Sequence, residues 1–152
     1  MSTSRDPVLR PCLGEHEWPV LVRIWRSAVE ATHDFLTRED VDFHESRMVS
    51  DYLPAVDVTV AELDGIPAGF SGLADGSLEM LFVDDRYRGR GVGAALLGRA
   101  IADHSDLVLD VNEQNPQAVA FYEYHGFVTL SRSATDSGGR PFPTLHMGRP
   151  TG

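Results

Sequence analysis

The sequence predicts one mixed α/β domain, a mostly antiparallel sheet with helices on both faces. Three observations lead there. Two hairpin turns, Asp64-Gly65 and Asp75-Gly76, join apolar runs of strand length. A strand, a glycine-rich loop and a helix then follow without interruption across Leu78 to Ala102, and a further apolar run, Leu107 to Val111, comes next. Ahead of the hairpins, apolar residues recur with helical spacing. With 152 residues, no internal repeat and no linker, a single domain over the whole chain is expected.

In chain order, Val8 to Leu13 predicts a first strand, restricted by Pro11 to an edge or a short piece. Trp18, Leu21, Val22, Trp25 and Val29 form the stripe of an amphipathic helix, with Glu15, Glu17 and Pro19 in its first turn and its end near Thr32-His33-Asp34. Thr37-Arg38-Glu39-Asp40 is a capping-box pattern that opens a second helix, which carries Val41, His44, Met48 and Tyr52 on one face and stops before Pro54. Both helices read as a lid, and His44 as a packing histidine. The runs Asp57 to Leu63, Ile66 to Leu73 and Leu78 to Val83 make an antiparallel meander. A helical crossover then sets Leu107 to Val111 parallel to Leu78 to Val83. Asn115 as N-cap, Pro116 in the first turn and Gly126 past the end predict a helix over Asn115 to His125. Phe127 to Ser133 and Phe142 to Gly148 are the last strands, joined by a mobile loop over Ala134 to Pro141.

Composition removes several function classes. The formal net charge of −10 argues against general nucleic-acid binding and suits a cationic partner. Cys12 is the only cysteine, and neither His16-Glu17 nor His44-Glu45 is followed by the second histidine of a zinc-binding H-E-x-x-H, so no metal site is expected. The N-terminal stretch has no apolar core of a signal peptide, and no run of about 18 apolar residues occurs. A soluble, cytoplasmic protein without membrane partners is the expectation.

The central unit carries the chemistry. Arg86, Arg88 and Arg90 alternate with Tyr87, Gly89 and Gly91 at the start of a helix. Glycines there let backbone N–H groups converge on an anion, and the first helical amides have no internal partner. Two motifs compete for the segment. Gly89-x-Gly91-x-x-Ala94, with Asp110 about twenty residues on, matches a dinucleotide-binding fingerprint, but Asp84 to Arg88 separate the strand from the first glycine. Arg88-x-x-Gly91-x-Gly93 resembles instead the acyl-CoA-binding signature of the GNAT superfamily of N-acyltransferases. Asn115-Pro116-Gln117-Ala118-Val119-Ala120-Phe121-Tyr122-Glu123-Tyr124-His125-Gly126-Phe127 is similar to that superfamily's second signature. Ala31 to Leu36 and Val111 to Asn115 further resemble a group of small bacterial acetyltransferases whose acceptor is unsettled.

The resemblance implies a GNAT fold whose two parallel strands splay apart, with acetyl-CoA as acyl donor. It places the pantetheine arm against Leu81, Phe82 and Val83, and the diphosphate on Arg88, Gly89, Arg90, Gly91, Val92, Gly93 and Ala94. Asn115 serves as N-cap and touches the CoA arm. Tyr122 is the proton donor to the leaving thiolate, its alternative role being that of a half-buried packing aromatic. Removing a proton from an alkyl ammonium at pH 7 costs about 4.6 kcal/mol, so a base or water chain should help. Glu79, placed by strand alternation on one face with Leu81 and Val83, is the first candidate, and Asp110, sharing a face with Val108 and Asn112, the second. Asn112 is expected to orient substrate. Trp25, His33, Asp34 and Phe35 stand either as core and turn residues or as acceptor contacts. The acceptor is a primary amine of a small molecule, peptide or protein, and a homodimer is common for such enzymes. Two other readings stay open: a CoA-binding sensor without turnover and, further off, a dinucleotide-binding oxidoreductase.

Overall fold

Aspartate–glycine pairs between apolar runs turn the middle of the chain back on itself twice. In the computed structural model, which describes residues 6–32, 36–136 and 138–150, Asp64 and Gly65 take φ of 54° and 78°, and Asp75 and Gly76 take 50° and 76°. Both central residues of each turn are thus left-handed, the geometry whose twist matches a two-residue hairpin. These turns join β2 (Asp57–Leu63), β3 (Ile66–Ala74) and β4 (Ser77–Val83) into the expected meander. β1 (Val8–Pro11) lies antiparallel on the outer side of β2, short and at the edge as Pro11 requires.

Helix α3 (Val92–Asp103) carries the chain over to β5 (Val108–Asn112), which runs parallel to β4. After α4 (Pro116–Tyr124) come β6 (Val128–Ser133) and β7 (Thr144–Gly148). The order in the sheet is β1-β2-β3-β4-β5-β7-β6, because β7 inserts antiparallel beside β5 and leaves β6 at the edge. β7 starts at Thr144 instead of Phe142: Pro143 has no N–H to give to a ladder, and its carbonyl accepts from the Glu113 N–H at 2.8 Å.

Helices α1 (Trp18–Thr32) and α2 (Arg38–Arg47) cover one face of the meander. Leu21, Ile24, Trp25, Val29, Val41 and Met48 pack there against Val60, Phe70 and Met80. Burying each such side chain is worth roughly 1.5–3 kcal/mol. On the opposite face Leu96 and Val92 of α3 meet Ala61, Leu63 and Ala68, while Leu97, Tyr122 and Phe127 close on Leu78, Leu109, Val111 and Met147.

Two local expectations change. Glu17 does not serve the first turn of α1; it lies in a short 3-10 turn, Glu15–Glu17, and is buried against Arg10, with Oε2 to Nη2 at 2.6 Å. Arg10 also donates to Glu62 at 2.8 Å, so one guanidinium ties β1, β2 and the entry to α1 together. The second helix does keep its capping box, with Thr37 Oγ1 accepting from the Asp40 N–H and Asp40 Oδ2 accepting from the Thr37 N–H, both at 3.0 Å. It ends earlier as a regular helix, however, and widens into a π-helical turn, Met48–Tyr52. That turn brings the Tyr52 hydroxyl to 3.0 Å from Nδ1 of the half-buried His44. Burial, and then the nearby Arg140 guanidinium, hold its ring pKa below the usual histidine range.

Candidate active site

Parallel strands β4 and β5 are paired only at Ser77–Val108 and Leu78–Leu109. Beyond Leu78 they part. The cause is visible in β4's other neighbour: Gly72 of β3 pairs with Met80 and Leu73 with Leu78, so Glu79 is an unpaired bulge residue. The bulge overturns the alternation expected from the sequence. Leu78, not Glu79, faces the α3 side with Leu81 and Val83, while Met80 and Phe82 face α1 and α2. Glu79 is left exposed at the point where the strands separate.

From the bulge onward, β4 has no β5 partner, and its backbone polar groups on that side look into a cleft of about 480 Å³. Leu81, Phe82 and Val83 form one wall, Asp110, Val111 and Asn112 the other, and Asn115, Phe121 and Tyr122 the flank. The cleft runs to the loop before α3, lined there by Arg88, Gly89, Gly91, Val92, Gly93 and Ala94.

This mouth suits a phosphate-bearing carrier. Gly91, the N-cap of α3, has φ 82°, and Gly89 has φ 79°. A side chain at either would be strained, and the space where its Cβ would stand contains no atom within 4 Å, so an anion can approach the backbone. The first bond of α3 is the Ala95 N–H to Gly91 at 3.0 Å, so the amides of Val92, Gly93 and Ala94 precede the helical ladder at the positive end of the dipole. Of the three arginines, Arg88 lines the cleft and pairs with Asp85 at 2.9 Å. Arg86 is committed to the buried Asp84, also at 2.9 Å, and Arg90 is exposed outside the lining; neither is brought into the cleft as the sequence reading of a cationic cluster had it. A 3-10 turn, Asp85–Tyr87, separates β4 from the glycines, which removes the strand-end opening that the dinucleotide fingerprint requires.

Tyr122 projects from α4 and is 9% exposed, with Phe121 and Phe127 set edge-on at ring distances of 5.3 and 5.9 Å. Burial pushes its phenol pKa well up, so the hydroxyl keeps its proton. Asn115 caps α4, its Oδ1 accepting from the Ala118 N–H at 3.3 Å, and Asn112 Oδ1 accepts from the Gln114 N–H at 2.8 Å. These two asparagines shape the turn that aims α4 across the cleft.

A second cavity of about 770 Å³ adjoins the first, sharing Glu79, Met80, Phe82 and Asn112. Its walls are Trp25 and Val29 of α1, Phe43, His44 and Tyr52 of the α2 region, and Asp136, Arg140 and Phe142 between β6 and β7. The described residues of the loop between β6 and β7 contact one another and α2. Asp136 Oδ1 accepts from the Gly138 and Arg140 N–H groups at 2.9 Å, and Arg140 forms an ion pair with Asp40 of α2 over the ring of Phe43. Trp25 lines this cavity; His33, Asp34 and Phe35 lie outside the described residues. Sequence reasoning missed Phe121, Gln117 and Tyr87 as cleft residues and the whole Arg140–Phe43–Asp40 wall, whose members are 100 positions apart at the extremes.

A sheet opened between its parallel strands, with an anion cradle at one end and a buried phenol beside the gap, defines a protein that takes an acyl thioester on one side and an acceptor on the other. The family model described as "Acetyltransferase (GNAT) domain" matches residues 29–144, and the chain belongs to the GNAT acetyltransferases. It is an acetyl-CoA-dependent N-acetyltransferase. Its relatives include a protein named peptidyl-lysine N-acetyltransferase YjaB from Salmonella typhimurium strain LT2, 40% identical over 131 residues, 84% of this chain and 88% of that one. The protein of the same name from Escherichia coli strain K12 is 42% identical over 129 residues, 84% of this chain and 86% of that one. The solution structure of apo-form YjaB from Escherichia coli superposes with a TM-score of 0.87 at 36% identity, over 97% of this chain and 100% of that one. No helix among the described residues is long and apolar enough to cross a membrane.

Proposed function

We propose that this chain transfers an acetyl group from acetyl-CoA to the side-chain amine of a lysine in a peptide or protein, in the cytoplasm. The observation that carries the reading is the parting of β4 and β5 after two paired positions, which opens one cleft toward the glycine loop and a second toward α1, α2 and the β6–β7 loop. The names of the relatives at 40% and 42% identity support lysine as the acceptor.

In this reading the diphosphate rests on the amides of Val92, Gly93 and Ala94 beside Arg88. The pantetheine amides pair with the exposed backbone of Leu81, Phe82 and Val83, which guides the thioester to the bulge. The lysine enters from the second cavity, where the carboxylate of Glu79 attracts its ammonium group and, through water, helps remove a proton. Attack on the thioester carbon forms the N–C bond and breaks the C–S bond. Tyr122 then protonates the departing thiolate, burial having kept its hydroxyl in the protonated form that this step needs.

Ligand-dependent melting and a thiol-release assay test this reading together. At about 100 times its Kd, acetyl-CoA adds about 2.7 kcal/mol and should raise Tm by several degrees. Stabilisation by NAD and none by acetyl-CoA would refute the donor assignment. Thiol release with N-terminally blocked lysine peptides, absent with free polyamines and amino acids, is the expected acceptor pattern, and the reverse would refute it. Binding of acetyl-CoA without turnover on any amine would favour the sensor.

A further inference from the structure

We infer that Asn112 is a catalytic residue, its side-chain amide donating a hydrogen bond to the thioester carbonyl oxygen as that oxygen takes up negative charge. The inference rests on the acetyltransferase reading of the cleft, and it gives Asn112 a different task from the expected one of orienting the acceptor.

Donor and acceptor must meet where the two cavities join, and among the described residues Glu79, Met80, Phe82 and Asn112 line both. Glu79, Met80 and Phe82 come from β4. Asn112 ends β5 across the gap, three residues beyond the last β4–β5 pair and so roughly 10 Å along the strand from it. A thioether and a phenyl ring offer no N–H or O–H, and an ionised carboxylate only accepts. Asn112 is therefore the one side chain of these that can donate a hydrogen bond.

Local structure decides which end of the amide is offered. A backbone N–H only donates, so the atom 2.8 Å from the Gln114 nitrogen is Oδ1, and the orientation of the amide is fixed. The arrangement is an Asx turn, in which the side chain stands in for a main-chain carbonyl. The main-chain carbonyl of Asn112 accepts from the Asn115 N–H at 3.0 Å, and the residue pairs with Thr144 of β7. Both oxygens of Asn112 thus hold the turn, while the N–H groups of Nδ2 have no acceptor among the described residues.

Such a donor cannot take the ammonium's proton; it serves the other charge that the reaction creates. The lysine ammonium first loses one proton to water by way of Glu79. Its lone pair attacks the thioester carbon, forming the N–C bond, and the carbonyl π electrons move onto oxygen, where an Nδ2 N–H meets them. The nitrogen of the adduct gives its second proton to water, the C=O bond re-forms and the C–S bond breaks. The departing thiolate takes the Tyr122 proton, which Tyr122 regains from solvent. A donor fixed before reaction needs no reorganisation when the oxyanion appears, and that is the source of its effect on rate.

Asn112→Asp and Asn112→Ala separate this role from a purely structural one. Aspartate keeps an oxygen for the Gln114 N–H but has no N–H to give. With acetyl-CoA and an N-terminally blocked lysine peptide, both variants should lower kcat by about 100-fold or more, with KM for either substrate within several-fold of wild type. Asn112→Asp should melt near the wild-type temperature. A second measurement needs no turnover: the carbonyl stretch of bound acetyl-CoA, isotopically labelled at the thioester carbon, should lie at lower frequency in the wild type than in either variant, because a hydrogen bond polarises the C=O bond. Wild-type kcat in Asn112→Asp, a raised peptide KM with unchanged kcat, or one carbonyl frequency in all three proteins would each overturn the role of Asn112 and leave the acetyltransferase reading intact. Absence of wild-type turnover on lysine peptides and on every other amine would overturn that reading and the oxyanion role with it.

Discussion

Replacing Gly69 by alanine should damage the acetyl-CoA site from a position that never touches it. Gly69 lies buried on β3 opposite Val83, beneath the first turn of α3. An added Cβ would stand 2.7 Å from Val92 Cγ1 and 2.9 Å from the carbonyl oxygen of Phe82. Carbon atoms in good contact sit about 3.5–4.0 Å apart, so Val92 must retreat by roughly 1 Å. A β-branched side chain in a helix is held to one rotamer, so the backbone has to carry much of that movement. Both displaced residues line the cleft, and the Val92 amide is among those proposed to hold the diphosphate. Overpacking of this kind costs about 1–3 kcal/mol, which at this size lowers Tm by roughly 2–12 °C. Calorimetry with and without acetyl-CoA checks both effects, the ligand-induced rise in Tm being smaller in Gly69→Ala than in the wild type. An unchanged Tm together with an unchanged ligand response would show that α3 is not seated on Gly69 and would refute the account of how the cradle is held.

Tyr122→Phe should lower kcat by about 100-fold or more while acetyl-CoA affinity stays near wild type, and stopped-time thiol release with parallel calorimetric titration measures both. Arg140→Ala removes the tie between the β6–β7 loop and α2, and should raise KM for a lysine peptide several-fold with little change in KM for acetyl-CoA, because Arg140 lines the second cavity and not the first. Acid stability should report Glu17: its hydrogen bonds from Arg10 hold the carboxyl pKa near 2 against an ordinary 4.5. The contribution is therefore complete above about pH 4.5 and is lost as pH falls toward 2, and a shift of this size corresponds to about 3 kcal/mol. Urea midpoints taken from pH 6 down to pH 3 should fall steeply for the wild type and less so for Glu17→Gln.

What could be read directly from the chain was whatever short-range chemistry dictates. Asp64-Gly65 and Asp75-Gly76 announce their left-handed turns, Thr37 to Asp40 its capping box, and Asn115-Pro116 a helix start, because each depends on residues within four positions of one another. The glycine loop and Tyr122 were legible as features for the same reason, since amides at a helix start and a phenol nearly two turns along another helix are local arrangements, and the structure brings both to the lining of one cleft. Tertiary structure alone decided the rest. The bulge at Glu79 arises from the pairing of β4 with β3, so no periodicity within β4 could reveal it, and one extra residue moves every earlier side chain to the other face. Arg86, read as part of a cationic cluster, is withdrawn by the buried Asp84. Likewise, the insertion of β7 between β5 and β6 sets His146 beside Asp110, and the Arg140–Asp40 ion pair closes the acceptor side, across 36 and 100 positions of chain. Contacts at such separations exist only after the sheet has assembled, since the loop entropy they must overcome is offset by the burial of the whole core and by nothing in their own neighbourhood.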